Sequence, residues 1–217
     1  MHRFSRYLGA VILVSAIGNA ARGSAQDAPP VPDDRAGDSF RIYSSLIPLG
    51  ETASPGWPHD LWLIRDETLE MAKAKQPCNA AEGSALNPHS AVHPSQNQRA
   101  DFDEILRDFD QHCHERFTLR GGNWSFKERY RLLTPAEQDN FMASRSRKQN
   151  PDAPNPFAGA PALYGFSPVY FNAHHTVALV YATHWCGGLC GQGMWIALAL
   201  VDGEWKMLNW RSDSWIS

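Results

Sequence analysis

The C-terminal third of the chain consists of short segments rich in β-branched and aromatic residues, and this pattern constrains the fold most. Four such runs, separated by turn-forming residues, cover 165–172, 176–185, 193–201 and 204–210. Asp202 and Gly203 alone link the last two runs, and a two-residue Asp-Gly link is a strong hairpin signal. The sequence therefore predicts an antiparallel β-meander with upstream helices packed on one face.

Two helices are predicted upstream of the meander. Residues 99–117 place apolar side chains at 102, 105, 106, 109, 113 and 117, which is the stripe of an amphipathic helix. Thr134, Pro135 and Glu137 form a helix start, with a threonine cap, proline at the first helical position and glutamate three residues after the cap. Residues 40–49 suit a short helix or an edge strand. The predicted fold class is α+β: a C-terminal antiparallel β-meander packed against two or three helices.

The first 25 residues have the features of a secretory signal peptide. Arg3 and Arg6 precede the apolar residues 8–17, and small residues lead to Ala25. The apolar run is shorter than the roughly 20 residues that a membrane-spanning helix needs. No later segment is apolar for long enough to span a membrane either. We therefore predict cleavage after Ala25 and export to the periplasm or the extracellular space, with no integral membrane span remaining.

The rest of the chain is predicted to be a single domain over residues 40–217 with two irregular segments. Residues 26–39 are rich in proline and acid and have no apolar period, so they predict a disordered leader. Residues 76–98 contain three prolines and few large apolar side chains, which indicates a long surface loop.

Charge and motifs narrow the possible partners. The chain has 20 basic and 23 acidic residues, and loss of the three signal-peptide arginines leaves a net charge of −6. This balance argues against nucleic acid or anionic lipid as the main partner. Signatures of serine hydrolases, zinc proteases and nucleotide-binding folds are missing, so no cofactor is predicted and an enzyme is disfavoured. A hydrolase built from scattered residues stays open.

The four cysteines of an exported chain predict disulfides before metal binding or catalysis. Three pairings are possible, and spacing favours Cys78 with Cys113 and Cys186 with Cys190. The first bridge closes a long loop, worth about 3 to 4 kcal/mol in the chain-entropy model. The second closes a short ring worth about 2 kcal/mol, so its value is mainly geometric.

Residues 184–193, HWCGGLCGQG, allow three interpretations. The structural one is a hairpin loop clamped by a disulfide, with Trp185 ending one strand and Gly193 starting the next. The first alternative is a thiol-disulfide redox pair, although such pairs usually precede a helix and here a strand follows. The second is a copper or zinc site formed by Cys186, Cys190 and a histidine, namely His184 or one of the histidines at 174 and 175.

Tryptophans are unusually frequent, and five of the eight lie in the meander. Most of them are expected to fill the core, since strands favour aromatic residues. The functional alternative is an aromatic surface for a glycan, a peptide or a hydrophobic ligand. Our candidates for such a binding surface are His184, Trp185, Trp210 and Trp215.

Several short patterns in the C-terminal part resemble a group of exported bacterial proteins of unknown function. The matching pieces are Ser167, Val169, Phe171 and Asn172 in an S-x-V-x-F-N pattern, then 176–181, Cys186-Gly187, 203–205 and 215–217, with LIRDET at 63–68 upstream. The resemblance implies export and a common fold but carries no catalytic residue. The predicted function is thus a disulfide-stabilised binding or envelope-associated module, with a redox or copper-handling protein using Cys186 and Cys190 as the alternative.

Overall fold

A mixed sheet of eight strands organises the protein. The computed structural model describes residues 28–47, 60–80, 84–146, 156–188 and 190–216, so the predicted signal peptide lies outside the described residues. The strands within these ranges are β1 (Trp62–Arg65), β2 (Val92–His93), β3 (Tyr130–Leu133), β4 (Leu163–Phe166), β5 (Tyr170–Phe171), β6 (Val177–Gly187), β7 (Cys190–Val201), β8 (Glu204–Met207), β9 (Arg211–Ser212) and β10 (Ser214–Ile216). The helices in the same ranges are α1 (Asp33–Leu46), α2 (Pro88–Ala91), α3 (Arg99–His112) and α4 (Pro135–Ser146).

The sheet has the strand order β10-β7-β6-β4-β1-β3, and β5 and β8 add to β6 and β7. Its C-terminal strands are antiparallel, whereas β1 runs parallel to both β3 and β4. Strands β2 and β9 form a separate antiparallel pair. The predicted α+β class with a C-terminal antiparallel meander is therefore confirmed, and β1 extends the sheet by joining the meander to β3.

The meander follows the sequence signals closely at one turn and departs from them at another. Asp202 and Gly203 both have positive φ, at 52° and 80°, as a two-residue hairpin of type I′ requires, so the predicted hairpin is confirmed. The first predicted run, 165–172, is instead divided into β4 and β5. Pro168 lies between these two strands, and proline has no N–H to donate to a ladder.

Helices cover both faces of the sheet, which corrects the expectation that they pack on one face. On the first face, Tyr43 of α1 packs into a core with Val180. On the second face, Phe109 of α3 packs with Leu179, and Phe141 of α4 packs over the neighbouring strands. Successive residues of a strand point to opposite faces, so the uninterrupted apolar run in β6 supplies both cores. None of the helices in the described ranges is both long enough and apolar enough to cross a membrane.

The first helix begins earlier than the sequence indicates. Residues 33–39, which were predicted to belong to a disordered leader, form the first turns of α1. Asp33 and Asp34 lie in the first turn, where negative charge is favourable. Arg35 then binds Asp108 and donates to the carbonyl of Val169 at 2.9 Å. Tertiary contacts of this kind order a segment that has no apolar period of its own.

The described parts of the segment at 76–98, which was predicted to be a long surface loop, contain short helical turns, α2 and β2, and the segment is held at two points. The Cys78–Cys113 disulfide joins it to the end of α3, with a Cα–Cα distance of 5.8 Å. Val92 pairs with Ser212 in the small two-stranded sheet. The segment therefore lies against the domain.

The residues of the S-x-V-x-F-N pattern connect the strands to helices on both faces. Ser167 accepts the N–H of Tyr181 with its hydroxyl at 2.9 Å, and its carbonyl accepts the hydroxyl of Tyr43 at 2.9 Å. The N–H of Phe171 donates to Asp108 at 2.8 Å, and the Asn172 amide donates to the carboxylate at position 101 at 2.9 Å. Through these hydrogen bonds Ser167, Phe171 and Asn172 connect the sheet to the helices, which is a structural role.

Two acidic residues of α3 face the sheet, whereas two others on the same helix face solvent. Asp101 and Asp108 are seven residues apart, about two helical turns, and both face β5 and the residue that follows it. Asp103 and Asp110 do lie outward, where they bond Arg99 and His89.

Candidate functional site: the disulfide-closed hairpin

The β6–β7 ladder continues almost to the end of the hairpin. Trp185 pairs with Gly191, and Gly187 pairs with Cys190, so the predicted loop at 186–192 is mostly strand. The register shifts between these two pairs, which leaves Cys186 as an extra residue in a β-bulge. The expectation that Trp185 ends its strand and Gly193 begins the next is therefore wrong, because Gly187 and Gly191 are themselves paired in the ladder.

A disulfide closes the end of the hairpin at Cys186, Gly187, Gly188 and Cys190, the described residues that we call the hairpin tip. The two Cα atoms are 5.2 Å apart, inside the usual range for disulfides, and the predicted pairing of all four cysteines is confirmed. Cys190 and Gly188 are exposed and Cys186 is half-buried. In this oxidised form both sulfurs are bonded to each other, so neither is a thiolate that can bind a metal.

His184 lies on the α1 face of the sheet. It pairs with Tyr164 of β4, and the two rings are 6.2 Å apart. Burial lowers the pKa of His184 below its ordinary value, so the imidazole is neutral at pH 7. A neutral ring supplies no positive charge to stabilise a nearby thiolate.

The tryptophans of the candidate surface lie on the opposite side of the sheet from His184. Trp185 packs edge-on against Phe141 of α4 at 6.0 Å. Trp210 packs against Phe102 of α3 at 5.4 Å and donates its indole N–H to Gln98 at 2.7 Å. All three predicted tryptophans are half-buried, the third being Trp215.

Trp215 lies on β10 beside Gly193 and donates its indole N–H to the hydroxyl of Tyr181 at 2.5 Å. Trp185 pairs with Gly191, two residues from Gly193 on the same face of β7. The structure thus brings Trp185 and Trp215 to one region of the sheet. It places His184 on the other face and Trp210 beside α3, so the four candidates do not form one surface.

A row of small residues crosses the sheet next to these two tryptophans. Gly165, Thr183 and Gly193 are successive neighbours on β4, β6 and β7. Trp215 lies over Gly193 at one end of the row, and Arg65 lies over Gly165 at the other end. We call this row, with Arg65 at one end and Trp215 at the other, the Thr183 slot.

Arg65 and Thr183 were not among the candidate residues predicted from the sequence. The resemblance patterns in their strands assign no ligand-binding role to either residue, and the two are brought together by the pairing of β1 with β4 and of β4 with β6. One local signal was Gly165, since a glycine in a strand often marks the close approach of another group.

Comparisons of the chain with protein-family models, with curated proteins and with solved structures found no match.

Proposed function

We propose that this protein is an exported binding or envelope-associated module that presents a rigid hairpin on a domain stabilised by two disulfides. The observation that carries the proposal is the Cys186–Cys190 disulfide at the exposed end of the longest ladder. A bridge over so short a ring contributes only about 2 kcal/mol in the chain-entropy model. Its larger effect is to hold the hairpin tip in one shape, which lowers the entropic cost of binding.

The position of the hairpin tip supports a role in recognition. The last pairing with β4 is at Trp185, and the last pairing with β10 is at Gln192. The tip therefore extends beyond its neighbouring strands in the described part of the sheet. Features that extend from a rigid scaffold are where binding residues are most often found.

The ligand classes we propose are a glycan, a peptide or a hydrophobic group. Trp185 and Trp215 remain half-buried on one face, and neither is fully used by the core. Indole rings offer a large apolar surface together with one hydrogen-bond donor, which suits all three ligand classes. Export is supported by the sequence of residues 1–25 and by the resemblance to exported bacterial proteins.

Thiol-disulfide exchange is the second candidate function. Exposure of Cys190 favours it, because an attacking thiolate can reach an exposed sulfur. The neutral state of His184 and the strand that follows the pair count against it, since reactive cysteines usually lie beside a cation or a helix N-terminus. Copper handling requires the same bridge to be reduced first.

Redox titration of the purified protein separates the two functions. A structural bridge between Cys186 and Cys190 is expected to have a potential below about −300 mV, and thiol counting without reductant is expected to find no free cysteine. The C78A/C113A variant isolates the hairpin bridge for this measurement. A potential near −200 mV, within the range of glutathione-linked oxidoreductases, would instead favour redox chemistry.

Cosedimentation with purified murein sacculi tests the binding function, because murein contains both glycan and peptide. The oxidised wild-type protein is expected to sediment with the sacculi, and the C186A/C190A variant is expected to sediment less because its tip is no longer fixed. The C78A/C113A variant serves as the matched control. Equal sedimentation of both double variants would remove the hairpin tip from the binding site, and a wild-type protein left entirely in the supernatant would contradict envelope binding.

A further inference from the structure

Arg65 is a cation without a bonding partner in the described part of the chain. Arg35, Arg120 and Arg131 each bind a carboxylate, whereas the side chain of Arg65 forms no ion pair or hydrogen bond with any described residue. Its side chain is half-buried. Burial lowers the pKa of the guanidinium, and the negative charge of Asp139 raises it by less. Partial loss of hydration without a partner is unfavourable for a charge, so the position favours an anion that arrives from outside.

The Arg65 side chain lies flat on the sheet because residue 165 is glycine. A Cβ at Gly165 would be 2.9 Å from Cδ and 3.2 Å from Nε of Arg65. The same Cβ would also be 2.9 Å from the hydroxyl oxygen of Thr183. The guanidinium Nε and this hydroxyl are therefore at most about 6 Å apart, a separation that the two oxygens of one carboxylate can bridge with ordinary hydrogen bonds.

Thr183 is able to turn toward such a ligand. Its hydroxyl donates to the carbonyl of Gly165 at 3.3 Å, which is long for a hydrogen bond from a hydroxyl. A charged acceptor nearby would form a shorter and stronger bond with the same proton. The Thr183 hydroxyl is thus a second hydrogen-bond donor, next to Gly165 and Arg65.

Aromatic side chains border the other side of the slot. Trp215 is fixed over Gly193 by its hydrogen bond to Tyr181. Trp185 follows Thr183 by two residues on the same strand and so lies on the same face. A ligand held by its charged group at Arg65 would place its apolar part against these indoles.

We propose that the Thr183 slot binds a small organic carboxylate, with Arg65 and Thr183 holding the carboxylate and Trp215 and Trp185 contacting the apolar part. Arginine binds planar carboxylates through two parallel hydrogen bonds. Asp139 contributes a negative charge near Arg65, which disfavours a dianion such as phosphate more than a monoanion. The assignment rests on the proposed binding function and names a ligand class for it.

Calorimetric titration of the purified, oxidised protein with phenylacetate tests the slot. Phenylacetate is expected to bind saturably, and its neutral analogue phenylacetamide at least about tenfold more weakly, since a charge-assisted hydrogen bond is lost. R65Q is expected to weaken phenylacetate binding by about tenfold or more. T183V, which keeps the shape of the side chain, is expected to weaken it severalfold.

R107Q is the matched control, because the Arg107 side chain is 67% exposed and pairs with Glu104 on the outer side of α3. It is expected to bind phenylacetate like the wild type. Circular dichroism melting shows whether R65Q is folded, and T183V provides the test if it is not. Equal binding of phenylacetate and phenylacetamide, or an unchanged affinity in both R65Q and T183V, would overturn the proposal.

Inorganic phosphate in the same titration distinguishes the two anion chemistries. Phosphate that binds as tightly as phenylacetate and is lost in R65Q would overturn the carboxylate assignment. A wild-type protein that binds murein sacculi but neither probe would remove the slot and leave the proposed function standing. Binding of phenylacetate without sedimentation on sacculi would support the slot and contradict the proposed envelope binding.

Discussion

Arg35 of α1 and Asp108 of α3 form an ion pair between two helices that lie on opposite faces of the sheet. The same two side chains also bond the backbone between them: Arg35 donates to the carbonyl of Val169, and Asp108 accepts the N–H of Phe171. Their side chains are only 11% and 20% exposed. Removal of one partner would leave the other charge poorly hydrated.

We therefore expect D108N to lower the free energy of unfolding by about 3 kcal/mol, at the lower end for a buried pair because some solvent reaches it. The asparagine oxygen still accepts the N–H of Phe171, so the loss reports mainly on the charge. Urea unfolding at pH 7 gives the value, and D110N, at an exposed position on the same helix, is the control. The R35M/D108N double variant should recover part of the loss. A D108N variant as stable as D110N would show that the pair does not join the helices energetically.

The start of α4 predicts a dependence of stability on acid. The N–H of Thr134, then the side chains of Arg131 and Thr134, lower the pKa of Glu137 from its ordinary value of 4.5 to about 2. A carboxyl whose pKa is lower in the folded state stabilises the fold above its unfolded pKa and loses that effect as the pH falls. The wild type should therefore lose stability relative to E137Q between about pH 4.5 and pH 2.

Urea unfolding of the wild type and E137Q at several pH values checks this expectation. Glutamine keeps the capping contact to the backbone but has no charge to titrate. Above pH 5 the difference between the two proteins should be constant. A difference that stays constant down to pH 2 would mean that Glu137 has no depressed pKa in the folded state.

The two disulfides are expected to differ in their effect on stability. The Cys78–Cys113 bridge closes the longer loop, with a sequence separation of 35, and its loss in C78A/C113A should cost about 3 to 4 kcal/mol. Loss of the Cys186–Cys190 bridge, with a separation of 4, should cost about 2 kcal/mol. Thermal and urea unfolding of the two double variants measure both values. The reverse order would indicate that the hairpin tip stabilises the sheet through contacts beyond its short ring.

The parts of the fold that the sequence predicts are those determined by neighbouring residues. The Asp202-Gly203 hairpin, the apolar stripe of α3 and the cap of α4 each depend on a few residues close in the chain. The hairpin and the cap are present as predicted, whereas the stripe is helical only to His112 and Phe117 packs on the opposite face. Cysteine spacing also sufficed for the two disulfides. Burial of β6 on both faces had a signal as well, since an apolar run without alternation is typical of a strand covered on both sides.

The parts that could not be predicted depend on pairing between distant segments. Strand β1 has only four residues, and nothing within Trp62–Arg65 specifies that it lies between β3 and β4. Arg65 and Gly165 are a hundred residues apart, and their contact exists only because β1 pairs with β4 in a particular register. The sequence therefore indicated Trp185 and Trp215 only as separate candidates. It gave no sign of Arg65, the cation on which the proposed carboxylate ligand depends.

Gly193 is the position where the packing of Trp215 is most directly testable. A Cβ at this position would overlap the indole nitrogen of Trp215 and the hydroxyl of Tyr181. We expect G193A to displace Trp215, break its hydrogen bond to Tyr181 and lower the free energy of unfolding by about 1 to 3 kcal/mol, as overpacking usually does.

The matched control is G37A, because Gly37 lies in α1 with no atom within 4 Å of the added Cβ. Alanine is favoured over glycine inside a helix by about 1 kcal/mol, so G37A should raise stability while G193A lowers it. Urea unfolding compares the two variants, and near-ultraviolet circular dichroism reports the change in the environment of Trp215. An unaltered near-ultraviolet spectrum in G193A would mean that Trp215 does not lie over Gly193, and the aromatic border of the Thr183 slot would be lost with it.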